Sequence, residues 1–290
     1  MALRSKSDFE SKSKSISKSK SKFKSHGQKP NTVLKLLVFL IVLLAVLVIW
    51  LLSPYFNIIR VEVSGNSYYS EDYLQNLAQV PIGENGFKYM TLNIKHLSDL
   101  PYLRLGKLES NLLDVAPYIK TVIATFSPPS HVSILINERD PACMVPFLGS
   151  FLLVDSEGYV LKTVASPEGI FLPQLKGIDI QSFEMGQALL PSNPEVLETF
   201  TYIASIILAG DRIIENEKKV LAKINFIDTT HSDDIIFRVE DRITVKIGSL
   251  ENLDYKMAVF REIFNKNIKE SEEGLLDFTN GENPVFVPVF

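Results

Sequence analysis

The sequence predicts a mixed α+β fold that a single N-terminal helix attaches to a membrane. Three observations support this prediction. The run from Leu36 to Leu52 contains no charged or amide side chain. The residues from 59 to 137 then show strand, helix, helix, strand and strand patterns, in that order. The rest of the chain combines hairpin patterns with two amphipathic helices, so we expect a second, β-rich domain with flanking helices.

The apolar run is long enough to cross a bilayer. About 20 residues at roughly 1.5 Å rise each reach about 30 Å, the thickness of the hydrocarbon core. Lys35 can extend its ammonium to the headgroups, and Trp50 and Tyr55 fall where the opposite interface would lie. We therefore predict a transmembrane helix at 33–53. A cleaved signal peptide is the alternative, but the run is too long and no small-x-small cleavage site follows it.

The charges on either side of this helix predict its orientation. Residues 1–32 repeat Ser-Lys and hold few apolar side chains, so we expect a disordered basic tail. After the helix, Arg60 is the only basic residue before Lys88. Basic flanks stay in the cytoplasm, so the chain should be a single-pass type II protein with extracytoplasmic C-terminal domains. A nucleic-acid-binding role for the tail is an alternative, and serine phosphorylation could weaken its attraction to anionic lipid.

The exported part should be acidic and free of disulfides. The formal net charge is −4 although the tail is basic, which argues against nucleic acid as a partner of the exported domains. Cys143 is the only cysteine, so no intramolecular disulfide can form. Its apolar neighbours favour a small buried side chain over a nucleophile.

No catalytic pattern stands out. His96, His131 and His231 are scattered, without metal-ligand spacing to a carboxylate or to Cys143. The GxSxG, HExxH and P-loop motifs are absent from the sequence. Asp233 and its neighbour Asp234 fit a solvated turn. We therefore expect no enzyme activity, no metal and no cofactor.

The first exported domain is predicted from hydrophobic periodicity and from helix-capping residues. Ile59, Val61 and Val63 alternate with charged residues and predict a strand, and Ser70 is a good N-cap for the helix that follows. A second helical region spans 92–115, interrupted by proline and glycine. Strands are expected at 120–126 and 131–137, on either side of a Ser-Pro-Pro turn.

The second exported domain should begin with a hairpin. The predicted strands lie at 151–154, 159–162, 221–227, 235–239, 243–247 and 275–278, with a last strand-like stretch at 285–287. Helices are expected at 194–208 and 250–264. A strand at the chain end would form a sheet edge, whose unpaired backbone groups can accept a strand from another protein.

Five strings in the right order resemble the FtsQ/DivIB family of bacterial cell-division proteins. They are VEVSGNSYYSEDYL, VAPYIKTVIATFSPPSHVSILINERDPA, LLVDSEGYVL, KIGSLENLDYKMAVFREI and DFTNGENPVFVP. The chain departs from the family pattern between Ser98 and Lys107, where extra residues extend the second helical region. The resemblance implies a POTRA domain (the β-α-α-β-β unit) at 56–139 and a β domain at 140–290.

The resemblance also implies a function and partners. It implies a non-enzymatic scaffold at the division septum that helps to recruit and regulate septal peptidoglycan synthesis. The implied partners are small single-span division proteins like FtsB/DivIC and FtsL, docked at the C-terminal edge through Leu276, Phe278, Val285 and Phe286. The alternative for these four side chains is that they pack inward on their own core. A membrane-anchored cell-wall enzyme and a POTRA-type transport or assembly component are the rival functions.

The junction between the two domains should lie near Asp140-Pro141. We predict a hinge formed by Glu138, Arg139 and Pro141, because the pattern changes to hairpins beyond it. Glu138 and Arg139 could contact a partner. The alternative, which we favour, is an ion pair that holds the strand end to a neighbouring loop.

Overall fold

The computed structural model describes residues 32–91, 103–214, 219–280 and 283–289. The chain divides into two units, Met1–Trp50 and Leu51–Phe290, and each is described by itself. Most of the predicted tail at 1–32, the part of the second helical pattern from 92 to 102, and His96 lie outside the described residues.

Helix α1 (Thr32–Leu51) matches the predicted transmembrane helix. It has 20 residues, its apolar stretch has a mean hydropathy of 3.1, and none of its residues is buried. An isolated helix that is apolar on all sides is stable in lipid and unfavourable in water. By length and composition, α1 can therefore cross a membrane.

The first domain after α1 has the expected β-α-α-β-β order. Its elements are β1 (Arg60–Ser64), α2 (Glu71–Ala78), α3 (Gly106–Val115), β2 (Ile119–Ser127) and β3 (His131–Glu138). The three strands form a sheet in the order β1-β3-β2, with β1 parallel and β2 antiparallel to β3. Ser70 caps α2 as predicted, because its hydroxyl accepts a hydrogen bond from the Tyr73 amide. Leu74 and Leu112 are among the buried side chains of the core between helices and sheet, so the POTRA fold is confirmed.

The second domain is built on a sheet of nine strands among the described residues, in the order β14-β13-β12-β11-β10-β7-β4-β5-β6. Four strands of this sheet precede the first helix of the domain: β4 (Pro141–Phe147), β5 (Ser150–Asp155), β6 (Val160–Val164) and β7 (Gln174–Lys176). The other five strands follow that helix: β10 (Ile224–Asp228), β11 (Ile235–Val239), β12 (Ile243–Gly248), β13 (Gly274–Asp277) and β14 (Val285–Pro288). A separate hairpin joins β8 (Ile180–Ser182) to β9 (Leu190–Pro191).

Two helices share a core with one face of this sheet: α4 (Pro194–Arg212) and α5 (Leu253–Lys266). The ring of Phe237 in β11 meets that of Phe260 in α5 edge to face, with centroids 5.1 Å apart. Alternate residues of β11 and β12 are buried, as expected of a sheet with one covered face. The strand predicted from Leu221 begins instead at Ile224, after a 3-10 turn at Leu221–Lys223.

The POTRA domain and the β domain have separate hydrophobic cores within the Leu51–Phe290 unit. The boundary between residues 139 and 140 stays a prediction. The α+β fold class, with one long apolar helix, a POTRA domain and a β-rich domain, is confirmed.

Candidate protein-docking edge

The chain ends on the outermost strand of the nine-stranded sheet. Strand β13 runs parallel to β12, and β14 runs antiparallel to β13, with Leu275 opposite Val287 and Leu276 opposite Phe286. No strand among the described residues pairs with the outer side of β14. The backbone of this strand is therefore available to another chain.

Two hydrogen bonds settle which backbone groups of β14 point outward. The Val289 amide donates to the Glu273 carbonyl at 2.9 Å, so Val289 faces β13. The Phe278 amide donates to the Lys246 carbonyl of β12 at 2.9 Å, which leaves the odd-numbered residues of β13 facing β14. Because backbone groups alternate sides along a strand, Val285 and Val287 also face β13. The backbone groups of Phe286 and Pro288 then face outward.

The side chains predicted as anchors fall into two groups. Leu276 is 0% and Phe278 6% exposed, and both belong to the core. Phe286 is half-buried against the same core, whereas Val285 is 49% exposed on the opposite face of the sheet. Leu276 and Phe278 therefore support the edge from within the core. The role of the four residues in binding a partner stays a prediction.

A polar turn holds the start of the β13–β14 connection. The Asp277 carboxylate accepts hydrogen bonds from the Thr279 amide at 2.7 Å, the Thr279 hydroxyl at 2.6 Å and the Asn280 side chain at 2.9 Å. Burial alone would raise the pKa of Asp277, but the bonds from Thr279 and the nearby Lys246 ammonium lower it below its ordinary value. The ionised carboxylate therefore organises this turn.

A cavity of about 730 Å³ lies beside this turn. Its lining includes Asp233, Tyr255, Lys256, Phe278 and Thr279. The Lys256 ammonium donates to the carbonyls of Ile247 and Ser249 at 3.0 and 2.9 Å, and burial lowers its pKa. Lys256, the one cationic side chain among the described lining residues, is therefore engaged in closing the end of β12.

A second cluster lies at the predicted hinge. The Glu138 carboxylate accepts from three consecutive backbone amides, at 2.8 Å from Ser67, 2.7 Å from Tyr68 and 3.2 Å from Tyr69. These residues form the loop between β1 and α2, so Glu138 fixes that loop to the end of β3. Pro141, the third residue of the predicted hinge, is the first residue of β4.

Arg139 joins the POTRA domain to the first hairpin of the β domain. Its guanidinium donates to Asp155 at 2.6 Å and Glu157 at 3.0 Å, and its Cζ lies 3.6 Å from the ring centre of Tyr159. Lys120 of β2 also pairs with Glu157. Burial alone would lower the pKa of Arg139, but the bonds to Asp155 and Glu157 raise it.

The ion pair favoured for this junction is present, and sequence reasoning missed most of its partners. The side chains of Arg139 and Asp155 are only 9% and 5% exposed, so loss of either one would leave the other as an uncompensated buried charge. Nothing in the spacing of Lys120, Asp155 and Glu157 indicated that they would meet. The hinge at Glu138, Arg139 and Pro141 stays a prediction, and motion there would have to break these contacts.

The described residues hold no cluster of three or more His, Cys, Asp or Glu side chains that could bind a metal ion. Cys143 is buried, and burial raises its pKa well above the ordinary value. Its thiolate is therefore disfavoured, as expected of a small core side chain.

Comparison with known proteins finds similar bacterial cell-division proteins, although no protein-family model matches the chain. The cell division protein DivIB of Clostridium acetobutylicum is 23% identical over 235 residues, covering 80% of this chain and 83% of the relative. DivIB of Clostridium botulinum strain Hall is 23% identical over 273 residues, covering 89% of this chain and 93% of the relative. The cell division protein FtsQ of Myxococcus fulvus is 29% identical over 133 residues, covering 46% of this chain and 41% of the relative.

The chain combines an apolar helix able to cross a membrane with a POTRA domain and a β domain. It is similar over most of its length to DivIB cell-division proteins.

Proposed function

We propose that this protein is a non-enzymatic divisome scaffold that docks other membrane-anchored division proteins on the outer edge of β14. Its helix α1 would hold it in the membrane with the N-terminus in the cytoplasm and the two domains outside, at the septum. The partners would be single-span proteins like FtsB/DivIC and FtsL. Docking would help to recruit and regulate septal peptidoglycan synthesis.

The observation that carries the proposal is the free backbone edge of β14 at the end of a nine-stranded sheet. Addition of a strand there satisfies backbone donors and acceptors that otherwise rely on water. The valines at 285 and 287 are each 49% exposed beside that edge, so an added strand would also cover apolar surface.

Membrane anchorage would make this edge effective even at modest intrinsic affinity. Two proteins held in one membrane meet at a much higher effective concentration than two proteins free in solution. The buried Arg139–Asp155 pair supports a defined placement of the β domain on the POTRA domain.

A pair of charge substitutions at the edge tests the proposal without disturbing the core. A tagged full-length chain carrying Val285→Lys and Val287→Lys is expressed in dividing cells, in place of the wild-type chain. Both side chains are half-exposed, so the lysines can reach water while they disfavour an apolar partner strand. A truncation before Glu273 is less suitable, because it would remove the buried Leu276 and Phe278 from the core.

The matched control is Thr163→Lys on β6, an exposed position at the opposite edge of the same sheet. We expect the tagged wild type and the control at midcell with division partners recruited. The Val285→Lys/Val287→Lys protein should fold normally but fail to recruit those partners. Normal recruitment by the doubly substituted protein would rule out docking at β14, and uniform envelope staining of the wild type would rule out the division role.

A further inference from the structure

Two of the three residues whose backbone groups face outward at β14 are prolines. Pro284 immediately precedes the strand, Phe286 lies in its middle and Pro288 ends it. Since the Val289 amide is bonded to Glu273, the outward-facing positions are the even-numbered ones, and both neighbours of Phe286 on that side are prolines. Proline has no N–H group.

The outer edge of β14 is therefore rich in acceptors and poor in donors. Between Pro284 and Pro288 the edge offers the carbonyls of Pro284, Phe286 and Pro288 but only one N–H, that of Phe286. Prolines at such positions are a known device for blunting edge-to-edge pairing, and an edge strand tolerates them because the missing N–H would face outward.

These outward-facing donors and acceptors favour one kind of incoming strand over another. A second copy of β14, antiparallel and centred on Phe286, would bring Pro284 of one copy opposite Pro288 of the other. Neither residue can donate, so hydrogen bonding would be confined to the central Phe286 pair. A strand without proline would also donate to the carbonyls of Pro284 and Pro288.

We propose that Pro284 and Pro288 bar edge pairing between copies of this chain and leave β14 open only to a proline-free strand from a different protein. The partner strand would place N–H donors opposite Pro284, Phe286 and Pro288. At the two positions between, it would place apolar side chains against Val285 and Val287. The partner half of this proposal rests on the proposed function, but the self-exclusion half does not.

Restoring the missing donors tests self-exclusion directly. The full chain is purified in density-matched detergent micelles, and its self-association is measured by sedimentation equilibrium for the wild type, P288A and P284A/P288A. Each proline replaced returns one donor to each copy, so each replacement should tighten self-association by roughly tenfold or more. Pro167→Ala, at an exposed loop position, controls for the general effect of replacing proline and should sediment like the wild type.

A further substitution shows whether any new association uses this edge. Phe286→Pro in the P284A/P288A background removes the central donor, and it should return self-association to the wild-type level. In cells, a second copy with a different tag should co-purify with P284A/P288A more than the wild-type pair does. The inference is overturned if P284A/P288A associates no more than the wild type, or if Phe286→Pro fails to reverse its association.

These results are separable from those on the proposed function. Sedimentation needs no division partner, so unchanged self-association of the proline variants would refute self-exclusion alone. Normal partner recruitment by the Val285→Lys/Val287→Lys protein would refute docking at β14 while leaving self-exclusion intact.

Discussion

The ring of Phe286 in β14 lies directly over the backbone of Gly274 in β13. A Cβ built on Gly274 would come within 2.8 Å of Cε2 and 2.9 Å of Cζ of that ring, and it would also meet the Val287 carbonyl oxygen. The absence of a side chain at 274 therefore allows the terminal strand to approach β13. Phe286 in turn covers the end of the core with its half-buried ring.

Gly274→Ala should displace β14 from the sheet. The new methyl group requires the ring and the backbone of β14 to shift, which we expect to cost about 1–3 kcal/mol in the free energy of unfolding. Amide hydrogen exchange should show faster exchange at Val285 and Val287, whose amides face β13. Gly106→Ala is the control, because its nearest atom is a side-chain oxygen of Thr91 at 3.0 Å. Unchanged exchange in Gly274→Ala would contradict the packing described.

Glu138→Ala should loosen the loop between β1 and α2. The substitution removes the acceptor of three consecutive backbone amides, and we expect a loss of about 1–3 kcal/mol. Thermal unfolding measures the loss, and hydrogen exchange at residues 67–69 locates it. Glu62→Ala, on an exposed position of β1, should have little effect. Equal losses in both variants would show that the three amides do not depend on Glu138.

Arg139→Ala should destabilise the junction between the domains. It leaves the buried Asp155 carboxylate without its cationic partner, which we expect to cost about 3 kcal/mol. Arg139→Lys should recover only part of this loss, because a lysine cannot reproduce both the paired contacts and the stacking on Tyr159. Thermal unfolding of all three proteins at neutral pH tests the order. Full recovery with lysine would show that charge alone matters at this position.

The same junction should weaken in acid. Hydrogen bonding to Lys120, with the further contact to Arg139, lowers the pKa of Glu157 below its ordinary value of 4.5. Its contribution to stability is therefore fully present above pH 4.5 and is lost as the pH falls through the lower pKa of the folded state. The difference in Tm between the wild type and Glu157→Gln should shrink from pH 6 to pH 3. For Glu168→Gln, at an exposed position, we expect a difference in Tm from the wild type that does not change with pH. A Tm difference for Glu157→Gln that stayed constant from pH 6 to pH 3 would exclude a contribution of Glu157 ionisation to stability.

Leu148→Asn should stabilise the protein. Leu148 lies at the tip of the β4–β5 hairpin with φ 46°, a left-handed conformation, and is 91% exposed. Asparagine adopts this conformation more readily than leucine, so we expect a gain of up to about 1 kcal/mol. Chemical denaturation measures the gain. Leu113→Asn, on an exposed helical position, should give no gain, and a destabilised Leu148→Asn would indicate that the tip makes contacts on which folding depends.

Much of this architecture could be predicted because the hydrophobic periodicity and the capping and turn residues agree with the tertiary fold. The β-branched and aromatic residues at 285–287 predicted a last, edge strand. The sequence left open whether Leu276 and Phe278 would be buried, because that depends on β13 lying parallel to β12 after the α5 crossover. The hydrogen bonds from the amides of residues 67–69 to Glu138 join positions about 70 apart in the chain, and no local sequence pattern predicts such a contact. The prolines at 284 and 288 were a usable signal, since their spacing alone places them on one side of the strand.

The docking claim is tested most directly by a photo-crosslink from the edge of β14 in living cells. A benzoyl-phenylalanine residue is placed at Val287 of the full-length chain, and at Thr163 on the opposite edge as the control. Irradiation of dividing cells followed by mass spectrometry identifies the adducts. If β14 is the docking edge, the residue at 287 crosslinks to a single-span division protein and the residue at 163 does not. Adducts of the same protein from both positions, or none from position 287, would contradict docking at β14.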